Sequence, residues 1–377
     1  MVPAGDPEQV LDQASLDALI VELRQAGSFA YDSEFIGEQT YYPDICLIQV
    51  ATTDRIALID TMADLDLTGF WQLLADPAVE KIVHAGLQDL EPVVRYLNTP
   101  AREVFDTQIA AGFMGLNYPM SLTRLVEEQL GADMGRGAKF TQWDRRPLTP
   151  VQMAYAANDV RYLPLLHKKI SDQLHTLDNM SFARQACCEL SDPTIYRSDP
   201  LERKVRAKGV RSLKPPQRAV LRGLQLWREA VAQQENLPPR ALLPDPSMLD
   251  LAVGELKIKQ VKGIPSPVLA QYRQAIEQAV EQARHGPLPP ASPRYRPLTE
   301  AQKSDVQQLW EAVQAHCLAC QIAVGVVTSK AQVTRHYTDR QHHDQAQLPP
   351  TKLTTGWRAQ LLGPVLDRPG QGSESES

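Results

Sequence analysis

The sequence predicts a mixed α/β domain followed by two small all-α domains. Three observations lead there. Residues 1–192 alternate short, β-branched apolar runs with stretches of helical period. From residue 216 onward the apolar residues recur at helical spacing, as in Val220, Leu224, Trp227 and Val231. Two proline-rich breaks, at 193–215 and 286–297, divide the chain. At 377 residues it exceeds the roughly 100–200 of one domain. The expected parts are an α/β domain over 1–192, a basic linker over 193–215, helical domains over 216–286 and 298–366, and a disordered Gly/Ser/Glu tail over 367–377.

Each element follows from local signals. Ser28 to Phe35, Ile45 to Ala51 and Arg55 to Asp60 read as three strands, separated by Tyr42-Pro43-Asp44 and Thr52-Thr53-Asp54. They are expected to open the domain as an antiparallel meander. A helix follows near Thr68 to Leu74, then a strand Lys81 to His84, a helix from about Gln88 to Leu97 and a strand ending at Phe105. Further helices start near Thr107, Ser121 and Thr149. In the helical part, Asn236-Leu237-Pro238-Pro239 stops the first helix. Leu226-Trp227 reappears as Leu309-Trp310 in a similar context, which hints at a duplicated module.

Composition narrows the class. Apolar residues at 43% and charged residues at 22% exclude a collagenous or largely disordered chain. A net charge of −6 argues, taken whole, against a polyanion partner. The charge is unevenly spread, however. Residues 1–200 hold 15 Lys and Arg against 29 Asp and Glu, while 201–377 hold 24 against 16, so a basic half with a polyanion partner remains open. Five cysteines, an odd number, do not make a disulfide framework. The start lacks a signal-peptide pattern, and no apolar run approaches the roughly 18 residues of a membrane span. A soluble cytoplasmic protein with no membrane association is expected.

Asp32 and Glu34 lie two apart in a strand, so both leave the same face. Two such carboxylates repel unless a divalent cation sits between them; solvated acids at an exposed strand end are the alternative. Asp89 follows a strand across the Ala85-Gly86 turn at a helix start, where a carboxylate alone reads as a dipole partner. Tyr155 and Asp159, spaced i, i+4, share one helix face.

In chain order these residues resemble the DEDD superfamily of 3′-to-5′ exonucleases in its tyrosine-bearing branch, and within it the ribonuclease D family. Supporting segments are Asp32-Ser33-Glu34-Phe35, Thr40-Tyr41-Tyr42-Pro43, Leu47-Ile48-Gln49, His84-Ala85-Gly86, Asp106-Thr107-Gln108, Arg146-Pro147-Leu148 and Tyr155-Ala156-Ala157-Asn158-Asp159. The helical domains resemble the HRDC-type domains that follow the exonuclease in this family. The resemblance implies a ribonuclease H-like fold and a metal-dependent 3′-to-5′ exoribonuclease that trims structured RNAs such as tRNA precursors. It implies two divalent cations, Mg²⁺ or Mn²⁺, with Asp32 bridging, Glu34 and Asp159 on one and Asp89 reaching the other through waters. Tyr155 would orient the attacking water. The partner implied is RNA with a free 3′ end, and no obligate protein partner is inferred.

Two departures stand out. Ser33 stands where Thr is usual, a change that keeps the hydroxyl and is expected to matter little, and Pro92 is expected to be tolerable only in the first turn of its helix. Candidate RNA contacts are Phe35, Tyr41 and Tyr42 by stacking, and His84, Lys139, Arg145 and Arg146, with Arg136 in the same basic segment. Core packing and solvated loop charge are the respective alternatives. Cys317-Leu318-Ala319-Cys320 has CxxC spacing but no second pair, so buried thiols are expected over zinc. His336, His342 and His343 read as loop residues. Two other functions stay open: a DNA 3′-to-5′ exonuclease, which would use the same carboxylates, and a catalytically silent nucleic-acid-binding adaptor.

Overall fold

A six-stranded mixed sheet organises the first part of the computed structural model, which describes residues 2–3, 5–135, 142–197, 201, 205–254, 256–286, 297–342 and 351–366. The strands are β1 (Glu8–Val10), β2 (Ser28–Ile36), β3 (Asp44–Ala51), β4 (Ile56–Asp60), β5 (Glu80–Val83) and β6 (Val104–Asp106), in the order β1-β4-β3-β2-β5-β6. The expected meander does not open the domain. β1 and helix α1 (Gln13–Ala26) come first, and β1 pairs in parallel with β4. Three residues are too few for β1 to show a period. The α1 signal is present in the sequence, in the Asp12 cap that accepts from the Ser15 amide and in buried Leu16, Leu19, Ile20 and Leu23.

β3 and β4 are antiparallel, whereas β2, β5 and β6 run parallel. The change of pattern falls at β2. β2 pairs with β5 only over Ser28 to Ala30, so Asp32 and Glu34 extend past the end of that ladder. In open sheets, ligands bind beyond the carboxyl ends of strands at such a switch point.

Helices cover both faces. On the face of Phe29 and Tyr31 lie α2 (Thr68–Ala75) and α3 (Leu87–Leu97); the Phe70 ring sits 5.8 Å from that of Tyr31. The other face, that of Ala30, Ala51 and Ile56, shares a core with residues of α4 (Thr107–Gly112), α5 (Leu122–Leu130), α6 (Pro150–Arg161), α7 (Leu163–Thr176) and α8 (Met180–Cys188). By alternation Asp32 and Glu34 belong to this second face.

The chain divides into two compact units. One comprises residues 35–46 and 197–296, with helices α9 (Pro215–Glu235), α10 (Pro239–Leu242), α11 (Asp245–Val253) and α12 (Ser266–His285). Leu224, Met248 and Ile276 lie in its core. Asn236, in the left-handed region at φ 49°, ends α9 where the sequence predicts a stop. A buried ion pair of 2.7 Å joins Arg228 to Asp245, whose carboxylate also accepts from the Arg206 amide. The loop between β2 and β3 belongs to this unit. The Tyr41 hydroxyl donates to Glu229, and Asn236 Oδ1 accepts from the Tyr41 and Tyr42 amides.

The other unit comprises 1–34, 47–196 and 297–377. Its last helices are α13 (Glu300–Ala319), α14 (Val324–Val327), α15 (Lys330–His342) and α16 (Gly356–Leu366). Val313, Cys317, Val326, Trp357 and Leu361 share one core with α4, α7 and α8. The Ala323 amide donates to the Gly112 carbonyl at 2.7 Å, and the Asn179 side chain donates to the carbonyls of Phe113 and Cys320. A Cβ on Gly112 would stand 3.0 Å from the Val326 side chain, so the approach is tight. His336 is buried within α15 and not in a loop, because the Gln-rich polarity of that stretch hides a continuous helix. The side chain of His342 and residue His343 lie outside the described residues. No helix among the described residues is long and apolar enough to cross a membrane.

Candidate active site

Strand alternation sends Asp32 and Glu34 to one face and Tyr31 and Ser33 to the other. Helix α6 supplies the third carboxylate. Its start is fixed by Thr149, which accepts from the Gln152 amide while the Gln152 side chain accepts from Thr149, with Pro150 at the first helical position. One helical turn separates Tyr155 from Asp159, so the phenol and the carboxylate share one face of α6. Asp32, Glu34 and Asp159 each present an oxygen, all within 4.8 Å of one another.

Asp89 reaches the site from the opposite direction. A tight turn links β5 to α3, with Ala85 at φ 57°, and a Cβ on Gly86 would stand 2.7 Å from Val83. Asp106, at the end of β6, holds that turn. Its carboxylate accepts from the Ala85 and Gly86 amides, both at 3.1 Å, while capping α4 through Gln108 and Ile109. The Tyr31 hydroxyl donates to the Asp89 carbonyl at 2.7 Å, and the Ser33 hydroxyl donates to the Asp89 carboxylate at 2.6 Å. Pro92 lies in the second turn of α3, not the first. The carbonyl it leaves without a helical partner is that of Gln88, which is exposed and can be hydrated.

Crowding of like charge sets the electrostatics. Burial, then the neighbouring Asp159 and Asp89, push Glu34 up to about 8. Asp159 is pushed up to about 7, burial outweighing the lowering effect of the nearby Tyr155 hydroxyl. Asp32 is raised by burial and by Asp89, Asp159 and Glu34, and Asp89 is raised chiefly by burial. Burial and the adjacent carboxylates also raise the Tyr155 phenol, so it keeps its proton. A set of hard oxygen donors that retain protons for want of positive charge fits divalent cations such as Mg²⁺ or Mn²⁺, and not the thiolate and imidazole sites of zinc.

The five motif residues thus come together, Asp32, Glu34 and Asp159 as one cluster and Asp89 and Tyr155 beside it. The other candidates have internal roles or lie apart. His84 uses both ring nitrogens, against Thr107 Oγ1 at 2.9 Å and the Met120 carbonyl at 3.0 Å. Tyr41 is bonded to α9, and Tyr42 sits edge-on to it at 4.6 Å. Phe35 is half-buried and Arg145 is exposed. Arg146 forks onto Asp60 at 2.5 and 2.6 Å. Lys139 and Arg136 lie outside the described residues. Cys317 is buried in the helical core, its thiol pushed up to about 11 mainly by burial, and no second metal cluster occurs among the described residues.

Sequence reasoning missed the work of Ser33, Asp106 and Trp143. The hydroxyl that Ser33 shares with the usual Thr bonds a site carboxylate. Trp143 is buried, its ring 6.1 Å from that of Tyr155; its signal was a lone Trp just before a helix cap.

Comparison with known proteins agrees with this geometry. A family model described as 3′-5′ exonuclease matches residues 7–175, and one described as HRDC domain matches 217–280. The chain is 34% identical over 247 residues to a ribonuclease D of Granulibacter bethesdensis, covering 65% of this chain. That match spans 62% of the relative's length, and a match to ribonuclease D of Gluconacetobacter diazotrophicus spans 64%, each just under two thirds. Among solved structures, Escherichia coli RNase D superposes with a TM-score of 0.80 at 24% identity, covering 96% of this chain and 98% of that one, and so shares the fold. Ribonuclease D of Shewanella sp. (strain ANA-3) is 30% identical over 371 residues, 95% of this chain and 93% of the relative, and the chain therefore belongs to the ribonuclease D family.

Proposed function

We propose that the protein is a metal-dependent 3′-to-5′ exoribonuclease that hydrolyses phosphodiester bonds from RNA 3′ ends. The observation that carries this reading is the cluster of Asp32, Glu34 and Asp159 oxygens within 4.8 Å, with Tyr155 one helical turn from Asp159. Curated relatives named ribonuclease D support RNA as the substrate, and the E. coli structure is described as an exoribonuclease involved in structured RNA processing. By extension, 3′ extensions of tRNA precursors are the substrates, and the cytoplasm is where they are met.

Asp32, Glu34, Asp159 and Asp89 would hold two Mg²⁺ or Mn²⁺ ions. When bound, these cations supply charge stabilisation at the attacking and leaving oxygens of the scissile phosphate. Asp89 is kept in place by Ser33 and by the turn that Asp106 clamps. Tyr155 retains its proton and would orient the attacking water through its hydroxyl, one helical turn from Asp159. The basic half concentrates RNA through its phosphates. Within it, 216–286 is one HRDC domain and 298–366 a second HRDC-like module. Support comes from α9 and α13, both long helices bearing Leu-Trp and followed by a four-residue helix.

The test is a product ladder from matched 5′-labelled RNA and DNA, with and without Mn²⁺. RNA should shorten one nucleotide at a time only with the metal, and Asp32→Ala should abolish this. Internal cuts, or action on DNA alone, would overturn the reading; RNA binding with no cleavage under any divalent cation would favour a silent adaptor.

A further inference from the structure

Arg146 falls in a basic segment of an acidic domain, where a phosphate contact is the first expectation. Its surroundings give it other work. All of its guanidinium nitrogens bond within the chain: Nε and Nη2 fork onto Asp60, and Nη1 donates to the carbonyls of Trp143 at 2.6 Å and Arg145 at 2.9 Å. The pair is sheltered, with side chains 25% and 12% exposed. Asp60 ends β4 opposite Leu47, on the sheet face that also carries Asp32 and Glu34. A second oxygen-bonded contact, from the Met62 amide at 2.9 Å, holds its carboxylate. A planar fork on a held carboxylate permits little rotation.

The other end of this connection is the site. Trp143, whose carbonyl Arg146 holds, is 4% exposed and tilts 35° to the Tyr155 ring. Three residues beyond Arg146, Thr149 caps α6, the helix that carries Tyr155 and Asp159. Strand β4 and the segment from Trp143 to Arg146 that leads into α6 are thus joined through one guanidinium.

We propose that Arg146 and Asp60 form a strut that seats Trp143 against Tyr155, so that Arg146 is a positioning residue for the phenol and not a contact to RNA phosphate. The proposal rests on the exonuclease reading above for its kinetic readout, and on RNA binding for an independent one. Arg146→Lys keeps the charge and loses the fork; Asp60→Asn keeps an acceptor and loses the charge. In the full-length protein with Mn²⁺, each should lower kcat about 10- to 100-fold, as expected of a misplaced reacting group. The KM for single-stranded RNA should hold to within about twofold, the signature of a loss confined to the transition state. The RNA Kd of the Asp32→Ala protein should likewise be unchanged on adding Arg146→Lys. In a Tyr155→Phe background, Arg146→Lys should cost little more, because the two act through one group.

A weaker RNA Kd with kcat retained would make Arg146 a phosphate contact and overturn the proposal. So would a full kcat loss that persists in Tyr155→Phe. Should Arg146→Lys fail to fold, Trp143→Phe leaves the strut intact and should lower kcat in the same way; unchanged kcat there would also overturn it. A wild-type protein that degrades no RNA would instead defeat the exonuclease reading, and the Kd comparison would still decide between strut and phosphate contact.

Discussion

The Ser33 hydroxyl stands 2.6 Å from an oxygen of the Asp89 carboxylate, linking the middle residue of the first motif to the carboxylate of the second. Strand alternation points Ser33 away from the face of Asp32 and Glu34, towards α3. The pair therefore joins carboxylates that the sheet would otherwise hold apart. Ser33→Ala removes a hydrogen bond to a charged group, worth about 1.5–3 kcal/mol. Activity should fall about 10- to 100-fold by the same energy, while Ser33→Thr should retain it. Product-release kinetics across a Mn²⁺ titration would check this, and wild-type activity in Ser33→Ala would remove Asp89 placement from the role of Ser33.

Stability should depend on pH and metal together. Glu34, raised to about 8, and Asp159, raised to about 7, hold protons in the folded state that the unfolded chain has already released. The folded state binds more protons between about pH 4 and 8, so stability without divalent cation falls as pH rises through that window. A cation displaces those protons, which makes its binding tighter at higher pH. The Tm gain on adding Mn²⁺ should be larger at pH 8 than at pH 6; equal gains at both would contradict the clustering of these carboxylates.

Gly86 should not tolerate a side chain. A Cβ there would meet Val83 at 2.7 Å, inside the turn that Asp106 clamps. Gly86→Ala should cost about 1–3 kcal/mol by overpacking and should lower activity by shifting α3 and Asp89. Thermal unfolding would read the first effect and metal-dependent turnover the second. A variant with unchanged Tm would show that the turn relaxes freely.

The segment 298–366 should unfold with the sheet and not on its own. Trp357 on α16 is buried, donates to Glu189 at 2.8 Å and lies 5.2 Å from the Phe113 ring at the end of α4. Trp357→Ala should destabilise by about 3–5 kcal/mol, in the range of large aromatic truncations in cores. Hydrogen exchange should then rise in α4 and α8 as well as in α16. Exchange confined to 298–366 would mark that segment as an independent domain.

Much of this was legible in one dimension. The i, i+2 spacing of Asp32 and Glu34 and the i, i+4 spacing of Tyr155 and Asp159 report faces directly, because strand and helix periods are local properties of the backbone. Capping at Thr149, the stop at Asn236 and most strand limits are local for the same reason. Pro92 defeated a local rule, since α3 continues past it at the loss of one helical hydrogen bond, to the carbonyl of Gln88. The opening helix α1 was overlooked although its apolar stripe is plain.

What the chain order could not convey is which distant groups meet. The sequence by itself determined the carboxylate set, the mixed sheet and the division into acidic and basic halves. Only the tertiary structure decided that Ser33 holds Asp89, that Asp106 clamps the Gly86 turn, that Arg146 is engaged by Asp60, and that 298–366 completes the core of the α/β domain. These partners lie between 20 and 141 residues apart in the chain, where no backbone period reaches. They are set by packing and by the need of each buried polar group to find a partner.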